Sequence, residues 1–261
     1  MNKKPDYANW MPAEMVYGGA IGTAVLAVSD AVVSRSDLSC RKPLSCLLKA
    51  GACAAGLWTV YSYAARSSFS YTGNRQLSRD IIEGIAEYVN LPEGGTCLDV
   101  GCGSGALAIA VAKRNPKAMV TGIDPWGMEY KDFTRQRCID NAEAEGVSNV
   151  RFEKGNAVRL DYPDESFDAV VSNYVYHNIF GRNKQDLLLE TLHVLKKGGT
   201  FAIHDLMSEA RYGDMPAFVK KLRDMGYEEV RLIDTRREFF KNPAEANLLM
   251  LGGSRLLTGR K

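Results

Sequence analysis

The sequence predicts an α/β fold: a doubly wound, mainly parallel sheet of seven strands, preceded by an N-terminal apolar helical hairpin. Three observations carry it. From residue 76 onward, short runs of strand formers alternate with stretches of helical spacing, the pattern of a sheet covered by helices on both faces. Residues 96–116 condense that pattern into one unit. Thr96-Cys97-Leu98-Asp99-Val100 reads as a buried strand, Gly101, Gly103 and Gly105 as a turn, and Leu107, Ile109, Ala110, Val111 and Ala112 as one apolar helix face. Before residue 66 there is no such alternation, and two long apolar runs take its place.

At 261 residues with 46% apolar side chains, the chain has room for one large domain and an appendage. A net charge of +2 without any Lys/Arg run gives no polyanion groove, so no nucleic-acid partner is expected. Cys40, Cys46, Cys53, Cys97, Cys102 and Cys138 form no C-x-x-C pair, which speaks against a metal site and for a reducing compartment.

Residues 1–66 read as the hairpin. The runs at 15–33 and 44–65 are each interrupted by one charge, Asp30 and Lys49, and are joined by a short basic loop. At ~1.5 Å rise per residue, either covers most of a ~30 Å hydrocarbon core. Gly18-x-x-x-Gly22 and Ala52-x-x-x-Gly56 give the small-residue spacing that lets helices approach closely. Asp30 and Lys49 are equidistant from the loop centre, so an antiparallel pair sets them at one depth, facing one another. Membrane contact through residues 15–65 is the expectation; a buried helical pair on a soluble enzyme is the alternative. A membrane location with the catalytic domain in the cytoplasm follows from the first reading, and a cytoplasmic enzyme from the second.

Residues 67–75 are a polar connector, and residues 76–261 form the α/β domain. A helix at 76–90 ends at Leu91-Pro92. After the first strand and its helix, residues 119–123 make the second strand, and Pro125-Trp126-Gly127 turns into a polar helix reaching about residue 145. Further strands are read at 150–153, 166–173, 200–204, 229–234 and 254–259, with helices at 186–195 and 215–225 between them.

A strand, a glycine turn and a helix N-terminus bring bare N–H groups up to a ligand. Gly101-x-Gly103-x-x-Ala106, with Asp124 ending the next strand, satisfies a loose dinucleotide fingerprint, so an NAD-dependent oxidoreductase is one reading. Asp99 opposes it: two residues before the first glycine, a carboxylate repels a pyrophosphate and attracts an ammonium. Leu98-Asp99-Val100-Gly101-Cys102-Gly103-Ser104-Gly105 resembles motif I of the class I S-adenosylmethionine (SAM)-dependent methyltransferases, and the domain is similar to the small-molecule type that modifies quinones and sterols. That resemblance implies a Rossmann-like sheet of seven strands with the last one antiparallel.

It also implies SAM as cofactor, with Asp99, Gly101, Gly103 and Gly105 around its methionine part and Asp124 on the ribose hydroxyls. Asn156-Ala157 stands where the family has Asp-Ala facing adenine, and Asn173 ends a strand whose sequence looks like a later motif. Trp126 is a candidate cover for adenine, and Tyr71 a candidate contact to the sulfonium or carboxylate. For chemistry, Tyr176 and His177 follow the fourth strand at the carboxyl edge, where open α/β sheets bind ligands, and His204 ends the fifth. His177 is the candidate base, with an unperturbed pKa of ~6.5. The expected reaction is methyl transfer to a small, lipophilic acceptor, with O, N, S and C all open as the accepting atom. A non-catalytic SAM-binding module tethered to a membrane is the third reading.

Overall fold

The structure, a computed structural model, describes residues 4–127 and 133–261. It divides into two compact units, Asn9–Ser78 and the N-terminal residues through Ala8 together with Arg79–Lys261. Residues 4–8, which the sequence reading placed with the hairpin, thus belong to the α/β unit.

In the first unit, α1 (Ala13–Ser34) and α2 (Arg41–Phe69) form the expected antiparallel hairpin. Pro12 precedes α1 and Pro43 lies in the first turn of α2, where a missing N–H costs nothing. The helices meet at small residues, though not with the predicted pattern. Gly18 has nothing within 4 Å of where a Cβ would stand, whereas at Gly19 that atom would lie 2.5 Å from Thr59 Oγ1. Gly22 faces Ala55 and Gly56 faces Thr23, each at 3.9 Å. The predicted charge pair forms: Lys49 Nζ is 3.9 Å from Asp30 Oδ2, while Ser34 and Ser45 donate to Asp30 Oδ1. Both helices are long and apolar enough to cross a membrane, and α1 turns Tyr17, Ile21, Val25, Val28 and Val32 outward.

The second unit is built on seven strands in the order β3-β2-β1-β4-β5-β7-β6. They are β1 (Thr96–Val100), β2 (Met119–Asp124), β3 (Val150–Lys154), β4 (Phe167–Asn173), β5 (Leu195–Leu206), β6 (Glu228–Ile233) and β7 (Ser254–Arg260). Strands 1 to 5 run parallel, and β7 lies antiparallel between β5 and β6, as the resemblance implies. The order reverses between β1 and β4, which opens a crevice at the carboxyl ends of those strands. Helices α3 (Leu77–Ala86), α4 (Ala106–Arg114), α5 (Arg135–Ala144), α6 (Lys184–His193), α7 (Glu209–Tyr212), α8 (Met215–Asp224) and α9 (Pro243–Leu248) complete the chain. Part of the helix read before residue 145 lies outside the described residues; α5 itself starts at Arg135, with Thr134 as its cap. At the opposite, amino edge Asp168 binds the strand starts together, accepting from Thr96 N at 2.8 Å and Lys196 Nζ at 2.9 Å.

Residues 4–8 run as a strap along α5 to the glycine turn. Asp6 N donates to Asn141 Oδ1 at 2.7 Å, and Asn141 Nδ2 donates to Asp6 O and Ser104 O, both at 3.0 Å. Ser104 Oγ donates to Tyr7 O at 2.9 Å, and the Tyr7 ring is buried. One buried amide therefore joins three backbone groups. Asn141→Ala should leave all three unpaired and lower stability by about 1–3 kcal/mol, read from urea unfolding of the detergent-solubilised chain; an unchanged midpoint would contradict the strap.

Candidate active site

The turn after β1 is held by β2: Gly101 N and Cys102 N both donate to Ile123 O, at 2.8 and 2.9 Å. Gly101, Gly103 and Gly105 have φ of +75°, +55° and +83°, a region costly for side-chain-bearing residues. Space adds to this at Gly101, where a Cβ would stand 2.3 Å from Val175 Cγ2. The loop delivers the chain into the N-terminus of α4. Beneath it lies Asp99, 1% exposed, whose Oδ2 has no hydrogen-bond partner. Burial raises its carboxyl to about 8, against the Ala108 N–H and helped by the charge of Asp124.

Asp124 ends β2 with Oδ2 accepting from Gly103 N at 3.0 Å and Oδ1 from Trp126 N at 2.8 Å. Burial raises its pKa too, and these two N–H groups oppose the rise. Trp126, at φ +43°, donates its indole N–H back to Gly103 O at 3.0 Å, so Asp99, the glycines, Asp124 and Trp126 form one cluster. Ala157 is buried; Asn156 is exposed and its Oδ1 accepts from Val158 N at 2.9 Å in a local turn. Tyr71 lies in the other unit.

Past β4 the chain carries the acceptor-side candidates, and the structure separates them. His177 Nδ1 is 2.6 Å from Asp205 Oδ1, with its side chain 14% exposed and that of Asp205 fully buried. Asp205 Oδ2 accepts from Tyr176 N at 2.8 Å and His177 N at 3.2 Å. Burial alone would raise the Asp205 carboxyl; the hydrogen bond and charge of His177, with the Leu206 N–H, outweigh it and hold it below the ordinary range. With an ionised Asp205, Nδ1 is the donor in this bond. Tyr176 instead points into the core, its hydroxyl 2.6 Å from Thr191 Oγ1. His204 is fully buried, with Nδ1 on Asn173 Oδ1 and Nε2 on Thr235 Oγ1, both at 2.8 Å. Burial pushes its pKa down to about 3, so it stays neutral with neither nitrogen free. Asn173 thereby serves His204 through its amide oxygen.

Comparison with known proteins names this geometry. A family profile described as "Methyltransferase domain" matches residues 91–234, more than half the chain. The chain belongs to the methyltransferase domain family. Among its relatives is the sterol 24-C-methyltransferase of Aspergillus fumigatus, 32% identical over 134 residues that make up 51% of this chain and 33% of that protein. The demethylmenaquinone methyltransferase of Geobacillus kaustophilus is 28% identical over 169 residues, 60% of this chain and 69% of the relative. The chain thus spans about a third of the sterol enzyme's length. Among solved structures, the [4+2]-cyclase SpnF superposes with a TM-score of 0.54 at 24% identity, covering 72% of this chain and 82% of that one, which shows the shared fold.

SAM is the cofactor of this methyltransferase domain, and the residues present fit it. The unpartnered, buried oxygen of Asp99 is suited to the ammonium of the methionine part, a glycine turn leaves backbone exposed, and Asp124 retains lone pairs for hydroxyl donors. Asp99 also counts against the dinucleotide reading, since a pyrophosphate here would lie beside a buried acid. The sequence reading missed Asp205 as the partner of His177. Strand alternation was the available signal, because adjacent residues of β5 face opposite sides of the sheet.

The raised Asp99 pKa fixes the sign of a pH effect. In the free protein the carboxyl is protonated below about 8, and pairing with an ammonium requires it ionised, so binding below that pH expels a proton. SAM affinity should therefore rise with pH, by up to ~10-fold per unit below the pKa, and fall again as the ligand's own α-ammonium deprotonates near ~8. Calorimetry from pH 6 to 9 checks this. Asp99→Asn should bind more weakly and lose the Asp99-dependent part of the slope; an equally steep slope in that variant refutes the assignment.

Proposed function

We propose that this protein transfers the methyl group of SAM to a small lipophilic acceptor whose methylation releases a proton, at a membrane in which α1 and α2 anchor it. The His177–Asp205 pair carries the chemical part of this reading. SAM supplies an electrophilic methyl on a sulfonium, and the chain supplies alignment and proton removal. Alignment of a displacement reaction is worth ~7–11 kcal/mol when well made. His177, fixed in one tautomer by Asp205, takes the acceptor proton on Nε2, and the carboxylate of Asp205 stabilises the imidazolium that results. Phenol-like and enol-like hydroxyls suit this arrangement best. His204 and Tyr176 act as packing for the site rather than in the reaction, because neither presents a free polar atom.

The lipophilic acceptor is supported by two relatives, named for a sterol and for demethylmenaquinone. The anchor is supported by the outward apolar face of α1 and by the contact of Lys49 with Asp30, which lowers the cost of both charges in a bilayer. Residues 67–75 then serve as the connector. Reaction of labelled SAM with a hydroquinone or phenol carried in vesicles tests the function directly.

His177→Ala should reduce kcat by ~10²–10⁴-fold with SAM affinity unchanged, measured by product formation and calorimetry. Unaltered kcat would remove His177 from the mechanism. Replacing residues 13–65 by a polar linker, with the strap kept, should spare SAM binding and lower turnover on a vesicle-borne acceptor; equal turnover would count against the anchor.

A further inference from the structure

We infer that the catalytic unit rests its ligand-binding edge on the bilayer surface, through Phe180, Leu248 and Met250 ringed by Arg182, Arg237 and Lys241. The inference rests on the membrane reading above and adds to it a contact made by the α/β unit itself.

Among the described residues of that unit, the three most exposed large apolar side chains are Phe180, Met250 and Leu248, at 90%, 68% and 67%. All three lie at the carboxyl edge of the sheet. Phe180 follows β4, three residues beyond His177. Leu248 and Met250 lie in the connection from β6 to β7, which is held at that edge because Ser254 pairs with Leu206, the last residue of β5. Nothing in the core accounts for such exposure, and apolar tips on an edge that receives a lipophilic molecule suit an interface with lipid.

Charge agrees with an anionic surface. Arg182, Arg237 and Lys241 are exposed and form no ion pair among the described residues. Three of the acids around them are engaged within the protein, whereas Asp186 and Glu209 are exposed without an ion pair among the described residues. Glu238 Oε2 accepts from the Tyr88 hydroxyl at 3.1 Å, Glu245 Oε2 from Lys241 N at 2.7 Å, and Asp234 binds Arg236 and Arg255. The edge therefore offers three cations with no ion pair of their own to lipid phosphates.

Covalent reach makes the contact attainable. The strap leaves the catalytic unit beside Ser104, in the glycine turn at the same carboxyl edge. From Ala8 to Ala13, where α1 begins, five chain steps extend at most about 18 Å. An α1 that enters a bilayer thus keeps this edge close to the headgroups, and the acceptor passes from lipid to His177 without crossing open water.

The full chain is reconstituted in phosphatidylcholine vesicles containing phosphatidylglycerol, and vesicle flotation is measured with brominated-acyl-chain quenching of added tryptophans. Phe180→Trp should lose emission relative to the parent chain, and Met225→Trp, exposed at the far end of α8, should not. Arg237→Glu with Lys241→Glu should diminish the Phe180→Trp quenching. A chain that floats while Phe180→Trp stays unquenched overturns the docked edge and leaves the anchor standing. A chain that stays in the dense fraction overturns the anchor and the docking with it.

Discussion

A buried carboxylate with an oxygen left unpaired is the constraint on which the catalytic unit depends. Asp99 sits on a central strand, shielded from water, in a position where an ionised acid is costly and a neutral one is only partly satisfied. The chain accepts that cost at the point where the strand order reverses and a cationic ligand can supply the missing partner. Around it, the glycines take backbone conformations that other residues resist, and Asp124 and Trp126 close the turn from the neighbouring strand. The sheet order exists to bring these pieces to one edge.

The same edge handles a second acid in the opposite way. Asp205 is as deeply buried as Asp99, yet four donors converge on it, including the His177 ring. Its neighbour His204 is neutralised by burial instead. Three ionisable groups, one on β1 and two on β5, are thus driven to three protonation states by their surroundings alone: Asp99 protonated, Asp205 ionised, His204 without charge. Such divergence suits the proposed division of roles, one acid for a cation and one for a proton-accepting histidine.

Much of this was legible in the sequence, because periodicity and turn chemistry are local. The seven strands, the glycine turn, Asp124 and the pairing of Asp30 with Lys49 all follow from spacing. What spacing did not resolve was direction. Gly18 and Gly19 are equally small, and only the rotation of α1 decides that Gly19 meets Thr59. Tyr176 and His177 are adjacent, and the short helical turn they occupy sends one into the core and the other to Asp205. Asn156 stands where the adenine contact was expected, but a turn to Val158 N occupies its oxygen. The strap was invisible for a different reason: residues 4–8 have no pattern of their own, and their partners lie far along the chain.

That distance has a consequence for biogenesis. Asp6 bonds to a residue 135 positions later, and Tyr7 to one 97 positions later. On a growing chain, α1 and α2 are complete and committed to their environment long before α5 exists to receive the strap. Residues 4–8 therefore stay undocked throughout synthesis of the hairpin and find their place only after α5 has formed. Closure of the strap thus waits for α5 and marks the assembly of the glycine turn with that helix.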